Sequence, residues 1–495
     1  MNVLINIKLI KPMLLIMLLV LTAIPLLSVF VQPQTALQAA ENWLRAQPSA
    51  TKAELGTPTI KSYINSSFRS SSDFYDAEKA ELPLLYLVEY PNGSFVLLSA
   101  DDNSIPVLGY NNEAQTPKAS YPPALLEWVQ YYADQIAALK TAPIDLPEYQ
   151  HQWQQLLRGR FTSDTRNERS VQPLMTTNWD QGWPYNELCP ADPEGPGGHV
   201  YAGCVATAMA MVMKYWNHPT TGVGNNSYYA MGYGYQSANF GATTYLWDEM
   251  PDAVGGSNIP VATLLYHLGV SVNMGYAPDG SGAQSYDAAD AMVDHFRYPQ
   301  AEIVNRTSYS LANWNALLKS QIDNGSPVYY SGHGAGGGHA FVIDGYDTAD
   351  YFHFNFGWSG SSNGYYYVTN INPSGDFNQS QSAIINTIPE NYSIANTKVR
   401  MHAANATVGD YFMLRLNTNP ILGSWNVNHY EFNLHYDHNF LNFNGADLAG
   451  TISAAGSVSV TNPEPGILAV SWNGPANLVG GGNLINFSFT PVDQG

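Results

Sequence analysis

The sequence predicts an α+β protein in three units: an N-terminal α+β unit, a central α+β unit and a C-terminal all-β sandwich. Three observations predict it. A length of 495 residues suits about three domains. A polar stretch from Arg158 to Ser170 separates two regions of mixed helix and strand periodicity. Beyond Glu390 the chain turns to Asn-rich strands with almost no helix signal. Hydrophobic residues make up 45%, enough for buried cores and too many for a disordered chain. Charged residues are only 12%, and 40 acids against 20 bases give a net charge of -20. A nucleic-acid partner is excluded on that balance, because phosphate affinity needs clustered Lys and Arg. Two cysteines, Cys189 and Cys204, exclude a disulfide-dense scaffold and a Cys-only zinc site, and leave one bridge or one reactive thiol open.

Residues 1–31 read as a secretory signal. Lys8 and Lys11 precede an apolar run from Met13 to about Val31, broken only by Thr22, Pro25 and Ser28. An uncleaved membrane anchor is the competing reading; Pro25 and the lack of charged residues on the far side favour the signal. Residues 32–170 form the next unit. Thr35 is expected to cap a short helix carrying Leu37, Ala40, Trp43 and Leu44. Leu84–Tyr90 and Phe95–Leu98 read as strands of a hairpin whose Asn92-Gly93 turn supplies positive φ. From about Pro123 to Lys140 a longer helix puts Leu125, Trp128, Val129, Tyr132, Ile136 and Leu139 on one face. The arginine-bearing segment 158–170 then reads as an exposed linker, where proteases cut.

The central unit, residues 171–389, carries the chemistry. Val205, Ala208, Met209, Val212, Met213 and Trp216 recur at spacings of three and four, so a buried amphipathic helix starts at Cys204. Backbone N–H groups and the helix dipole at that first turn favour a thiolate. Helical stretches follow near 258–270 and 310–324, then strands to about Ile388. His339 opens one of these strands after the run Gly336-Gly337-Gly338, and Asn355 and Trp358 lie on or just beyond the next strand. A thiol, an imidazole and a group orienting the imidazole are what acyl transfer by a thiolate requires. Charge developing on the carbonyl oxygen needs donors as well, for which the Cys204 N–H and Gln181 are candidates.

Four segments then share one resemblance: Asp180-Gln181-Gly182 with Pro184-Tyr185-Asn186, Gly203-Cys204-Val205-Ala206-Thr207-Ala208, Gly337-Gly338-His339-Ala340-Phe341-Val342-Ile343-Asp344-Gly345, and Asn355-Phe356-Gly357-Trp358. In order and separation they resemble the streptopain family of papain-like cysteine peptidases, over residues 171–389. Phe95–Asp102 and Pro106–Tyr110 are similar to that family's inhibitory propeptide. The resemblance implies a papain-like fold and a secreted endopeptidase made as a zymogen, activated by a cut near Ser170 and Val171. It implies Cys204 as nucleophile, His339 as general base and acid, Gln181 as oxyanion donor, Trp358 beside the imidazole, and Asn355 or a backbone carbonyl orienting it. Ser281, Gly282 and Gly338 are the implied substrate-facing positions. Polypeptides are the implied substrates and the chain's own pro-domain the implied inhibitor; no cofactor and no metal are expected. Phe356 stands where the family usually has Trp, and the order of glycine and serine in the 271–282 loop differs, so preference before the scissile bond does not carry over.

Cys189 has no role in this reading: it is either a free thiol, the favoured option, or a partner that oxidises with Cys204. Residues 390–495 are similar to cohesin-type β-sandwich modules, which implies an extracellular or cell-surface partner. Phe432, Leu434 and Tyr436 alternate there with Glu431, Asn433 and His435. His429, His435 and His438, without cysteine partners, do not make a zinc motif. A surface adhesion or inhibitor protein with a vestigial peptidase domain is the alternative, and an amidase or transglutaminase-like enzyme keeps the same Cys–His chemistry.

Overall fold

A computed structural model describes residues 30–47, 55–70, 82–115, 120–141, 146–160, 170–334, 337–368, 381–393, 397, 399–401 and 407–492. Most of the expected signal, residues 1–29, and most of the expected linker, residues 161–169, lie outside the described residues. Phe30 and Val31 do not end a separate segment. Phe30 bridges Asp101, and the Val31 N–H donates to the Ala100 carbonyl, so these two residues belong to the N-terminal unit.

That unit begins with helix α1 (Pro33–Ala46). The helix starts before Thr35, with Pro33 in its first turn and no side-chain cap, because proline's fixed φ is already helical and its missing N–H costs nothing there. Strands β1 (Thr59–Ile64), β2 (Ser67–Ser70), β3 (Leu85–Glu89), β4 (Phe95–Ser99) and β5 (Val107–Asn111) follow. The β3–β4 hairpin pairs Leu87 with Leu97, and Gly93 in its turn has φ 87°. Helix α2 (Pro123–Thr141) buries the expected face, Leu125, Trp128, Val129, Tyr132, Ile136 and Leu139. Helix α3 (Pro147–Leu157), which the sequence pattern did not single out, packs on α1 through Asn42 and Gln38 donating to the carbonyls at its C-terminal end.

The central unit contributes α4 (Cys204–Trp216), hairpin β6 (Asn226–Ala230) and β7 (Gly234–Ala238), α5 (Ile259–Ser271), α6 (Ser285–Asp294), β8 (Glu302–Asn305) and α7 (Leu311–Asp323). Strands β9 (Val328–Gly334), β10 (Gly337–Tyr346), β11 (Tyr351–Asn355), β12 (Gly364–Tyr367) and β13 (Ser382–Ile385) complete it. The two units share one sheet, in the order β2-β1-β3-β4-β5-β12-β11-β10-β9-β13-β8. The joint is β5 against β12, with Tyr110 opposite Tyr365 and Gly109 opposite Tyr366. Backbone pairing satisfies an edge that each unit alone would leave open. At the same joint Tyr110 stacks on Tyr365 and donates to Asp347 at 2.7 Å.

The C-terminal unit is all-β, as expected. Strands β14 (Val399–Met401), β15 (Phe412–Ile421), β16 (His429–His435), β17 (Leu441–Asp447), β18 (Ser457–Glu464), β19 (Ile467–Asn473) and β20 (Gly480–Pro491) form two sheets, β14-β15-β20-β17 and β16-β19-β18. Leu468, Trp472, Ile485, Phe487 and Phe489 form a core of their own. The unit meets the central one at the far end of α4, where Trp216 packs edge-on to Tyr392 and Tyr392 stacks on Trp425. Twelve residues at 1.5 Å rise separate that end from Cys204, about 18 Å. Among the described residues no group of His, Cys, Asp or Glu could hold a metal ion, and no helix is long and apolar enough to cross a membrane.

Candidate active site

Cys204 is the first residue of α4 because Gly203 turns the chain into the helix with φ 93°. A side chain is doubly disfavoured at Gly203: the φ is left-handed, and a Cβ would stand 2.8 Å from the Met274 sulfur and 3.0 Å from the Ser281 carbonyl. The Thr207 hydroxyl and N–H both return to the Gly203 carbonyl, closing the first turn. Gln181 is brought to the same place by its backbone, whose carbonyl accepts from the Ala202 N–H at 2.9 Å. Asp180 fastens this turn: one carboxylate oxygen takes the N–H groups of Gln181 and Gly182, and the other takes the Ser359 hydroxyl at 2.6 Å.

The facing wall is β10. A cavity of about 200 Å³ is lined by Cys204, Gly282, Gln284, Ser285, Gly338 and His339, among others. Ala340 of this strand lines the cavity beside Cys204, and its N–H favours the thiolate. His339 shares the opposite parity with Phe341, which packs on Trp128 of α2. Its Nε2 is 3.5 Å from a carboxylate oxygen of Glu127, also on α2.

The electrostatics follow. Burial pushes the Cys204 thiol up, the N–H groups of Ala340, Val205 and Cys204 itself pull it down, and the Glu127 charge pushes it up again. The expected ease of thiolate formation at this helix start is therefore overturned in the intact chain: burial outweighs the helix terminus. A raised pKa keeps the thiol protonated until the pH climbs through it, so reactivity rises with pH. Glu127→Gln removes an opposing charge, lowers the thiol's pKa and should speed alkylation of Cys204 in the uncut chain at neutral pH by about threefold to tenfold. An unchanged rate would show that the thiol does not feel this carboxylate.

Other expected positions behave differently. Asn355 does not orient His339: it lies opposite Val342, donates to the Thr177 carbonyl at 2.7 Å and accepts from the Gly357 N–H. It pins the 175–179 segment to β11 instead. Ser281 does not face the cavity either, because its hydroxyl bonds the N–H and carbonyl of Ala277 within its own loop. Gly282 and Gly338 do line the cavity, and Trp358 stacks on Tyr201 close to the start of α4. Phe356 fits its place among Phe341, Phe354 and Tyr366. Cys189 is free and buried, its thiol pushed up to about 12 by burial. Sequence reasoning missed Glu127 altogether, and it missed a buried pair in which His353 Nδ1 meets Asp344 at 2.6 Å. The other Asp344 oxygen accepts from the Met175 N–H, which ties the segment following the linker to β10.

Known proteins resemble part of this chain. The Peptidase C10 family matches residues 179–366, and the Spi protease inhibitor family matches residues 28–136. Thiol protease/hemagglutinin PrtT of Porphyromonas gingivalis is 31% identical over 336 residues, covering 64% of this chain and 37% of that protein. The chain thus spans little more than a third of PrtT. Streptopain of Streptococcus pyogenes is 29% identical over 333 residues, covering 62% of this chain and 81% of its own length. A prointerpain A fragment from Prevotella intermedia superposes with a TM-score of 0.52 at 29% identity, covering 62% of this chain and 97% of that one.

Proposed function

We propose that this chain, which belongs to the peptidase C10 family and carries a Spi-type inhibitor pro-domain, is the zymogen of a cysteine endopeptidase acting through Cys204 and His339. One observation supports the reading above the others. The thiol at the start of α4 and the imidazole on β10 border a single cavity, and a pro-domain carboxylate stands at that imidazole.

In the mature enzyme α2 no longer covers His339, and its imidazole meets the Cys204 thiol across the cavity that both border. The imidazole takes the thiol proton, and the thiolate adds to the peptide carbonyl. The Cys204 N–H and the Gln181 side-chain amide hold the oxyanion. His339 gives its proton to the leaving amine as the C–N bond breaks, then takes one from the water that hydrolyses the thioester and restores the thiol. No cofactor enters these steps. Trp358 walls the pocket with Tyr201, and Gly282 and Gly338 let substrate backbone pass close to the nucleophile. Export rests on Lys8, Lys11 and the apolar run that starts at Met13. The C-terminal sandwich, docked at the opposite end of α4 from Cys204, leaves the cleft open and suits an extracellular binding or spacer module.

Incubating the purified proform and sequencing the new N-terminus tests this directly. The cut is expected between residues 158 and 171, because Val171 is bridged to Tyr346 and the Leu174 N–H to the Asp344 carbonyl. A proform that stays intact, with Cys204 inert to a thiol-directed peptide electrophile after added protease has cut the linker, would favour the vestigial-domain alternative.

A further inference from the structure

Helix α2 leaves a second imprint on the peptidase. One turn beyond Glu127, the hydroxyl of Tyr131 hydrogen-bonds the side chain of Gln381 and lies within the field of Arg306. The site beneath it is built and buried: Gln381 is 6% exposed and Arg306 only 4%. Its polarity is fixed by a chain of donors. Trp314 Nε1 donates to the Tyr330 hydroxyl at 3.2 Å, and that hydroxyl donates to Gln381 Oε1 at 2.7 Å. The amide nitrogen of Gln381 is thereby left to point its hydrogens at Tyr131. Arg306 gives Nη1 to the Tyr309 carbonyl, while its buried Nε has no partner among the described residues. Nor does any carboxylate among them pair with this guanidinium. The pocket therefore offers donors and positive charge and no acceptor.

Its position relates it to the chemistry. His339 pairs with Gly332, and a Cβ at Gly332 would stand 4.0 Å from Cγ of Gln381. The pocket thus opens on the face of the sheet that carries His339. A general acid must stand beside the amine it protonates, so the leaving part of a substrate runs past His339 onto this face once α2 has gone.

We propose that Arg306 and Gln381 form a subsite for a glutamate side chain on the leaving-group side of the scissile bond, a site that Tyr131 fills in the zymogen. The proposal rests on the peptidase reading. Long side chains ending in an acceptor satisfy both buried donors, whereas lysine brings a third donor against a buried cation.

The test uses the mature enzyme and peptides identical before the scissile bond, with Glu, Tyr or Lys at each of the first three positions after it. At one position kcat/KM for Glu should exceed that for Lys by about tenfold or more, with Tyr between. Arg306→Met should bring the Glu to Lys ratio within about twofold, mainly through KM, and Gln381→Leu should lower it in part, which covers a buried arginine variant that fails to fold. An active enzyme that treats Glu and Lys alike at all three positions overturns the subsite and leaves the peptidase standing. An enzyme that cleaves none of the peptides overturns the peptidase reading and the subsite with it.

Discussion

Cys204→Ala is expected to remove peptide hydrolysis and self-processing together while leaving a folded protein, with kcat lower by about 10⁴ to 10⁶. The magnitude follows from what each remaining group does alone. Without the sulfur there is no acyl intermediate, so the oxyanion donors and His339 have only water to activate. The fold survives because alanine removes only one sulfur atom, at a position that borders the cavity, and has the best helix propensity. Helix α4 keeps Val205, Met209, Val212 and Trp216 buried whatever stands at its first position. Activity assays, the mass of the incubated proform and a urea unfolding curve check the three parts. Residual hydrolysis within about tenfold of the parent would assign the nucleophile elsewhere.

The same residues show how far sequence reasoning reaches. The positions of Cys204 at a helix start and His339 on a strand were legible because their signals are local: a helix whose apolar stripe begins at a cysteine, and a strand that begins after glycines. The three-unit organisation was legible for a similar reason, since periodicity and composition change along the chain. What escaped depends on register and on distant partners. Asn355 is near His339 along the chain order of strands, yet the pairing of Val342 with Asn355 sets it three residues up β10, where it serves Thr177. Ser281 was placed by its loop, but the loop turns the hydroxyl back on Ala277. Nothing local marks Glu127, an ordinary acid on an amphipathic helix. It acquires meaning only because β5 pairs with β12 and lays α2 across the face of β10. Pairing between units is a property of edges, and a strand's sequence does not say which edge it will meet.

What holds that helix in place is decided by magnitude. The Glu127–His339 contact is a single one at 3.5 Å, and because the carboxylate oxygens are buried their desolvation offsets most of the attraction, leaving about 1 kcal/mol or less. Trp128, 4% exposed, is a different matter. Its ring meets Phe354 at 5.1 Å, Phe341 at 6.0 Å and Tyr330 at 6.2 Å, all edge-on and all from the peptidase. Its Nε1 donates to Tyr132, whose hydroxyl reaches the Tyr367 carbonyl across the joint at 2.7 Å. Replacing a buried tryptophan by alanine costs about 3–5 kcal/mol, and most of these contacts cross the interface. Trp128→Ala should therefore weaken the pro-domain's hold by about 10² to 10³, against tenfold or less for Glu127→Gln. The comparison is made in the Cys204→Ala chain, with the linker cut by an added protease and dissociation followed on dilution. The carboxylate then sets the reactivity of the thiol, and the tryptophan sets whether the cleft is covered. Equal effects of the two variants would reverse that division, and would mean that charge rather than aromatic packing keeps the zymogen closed.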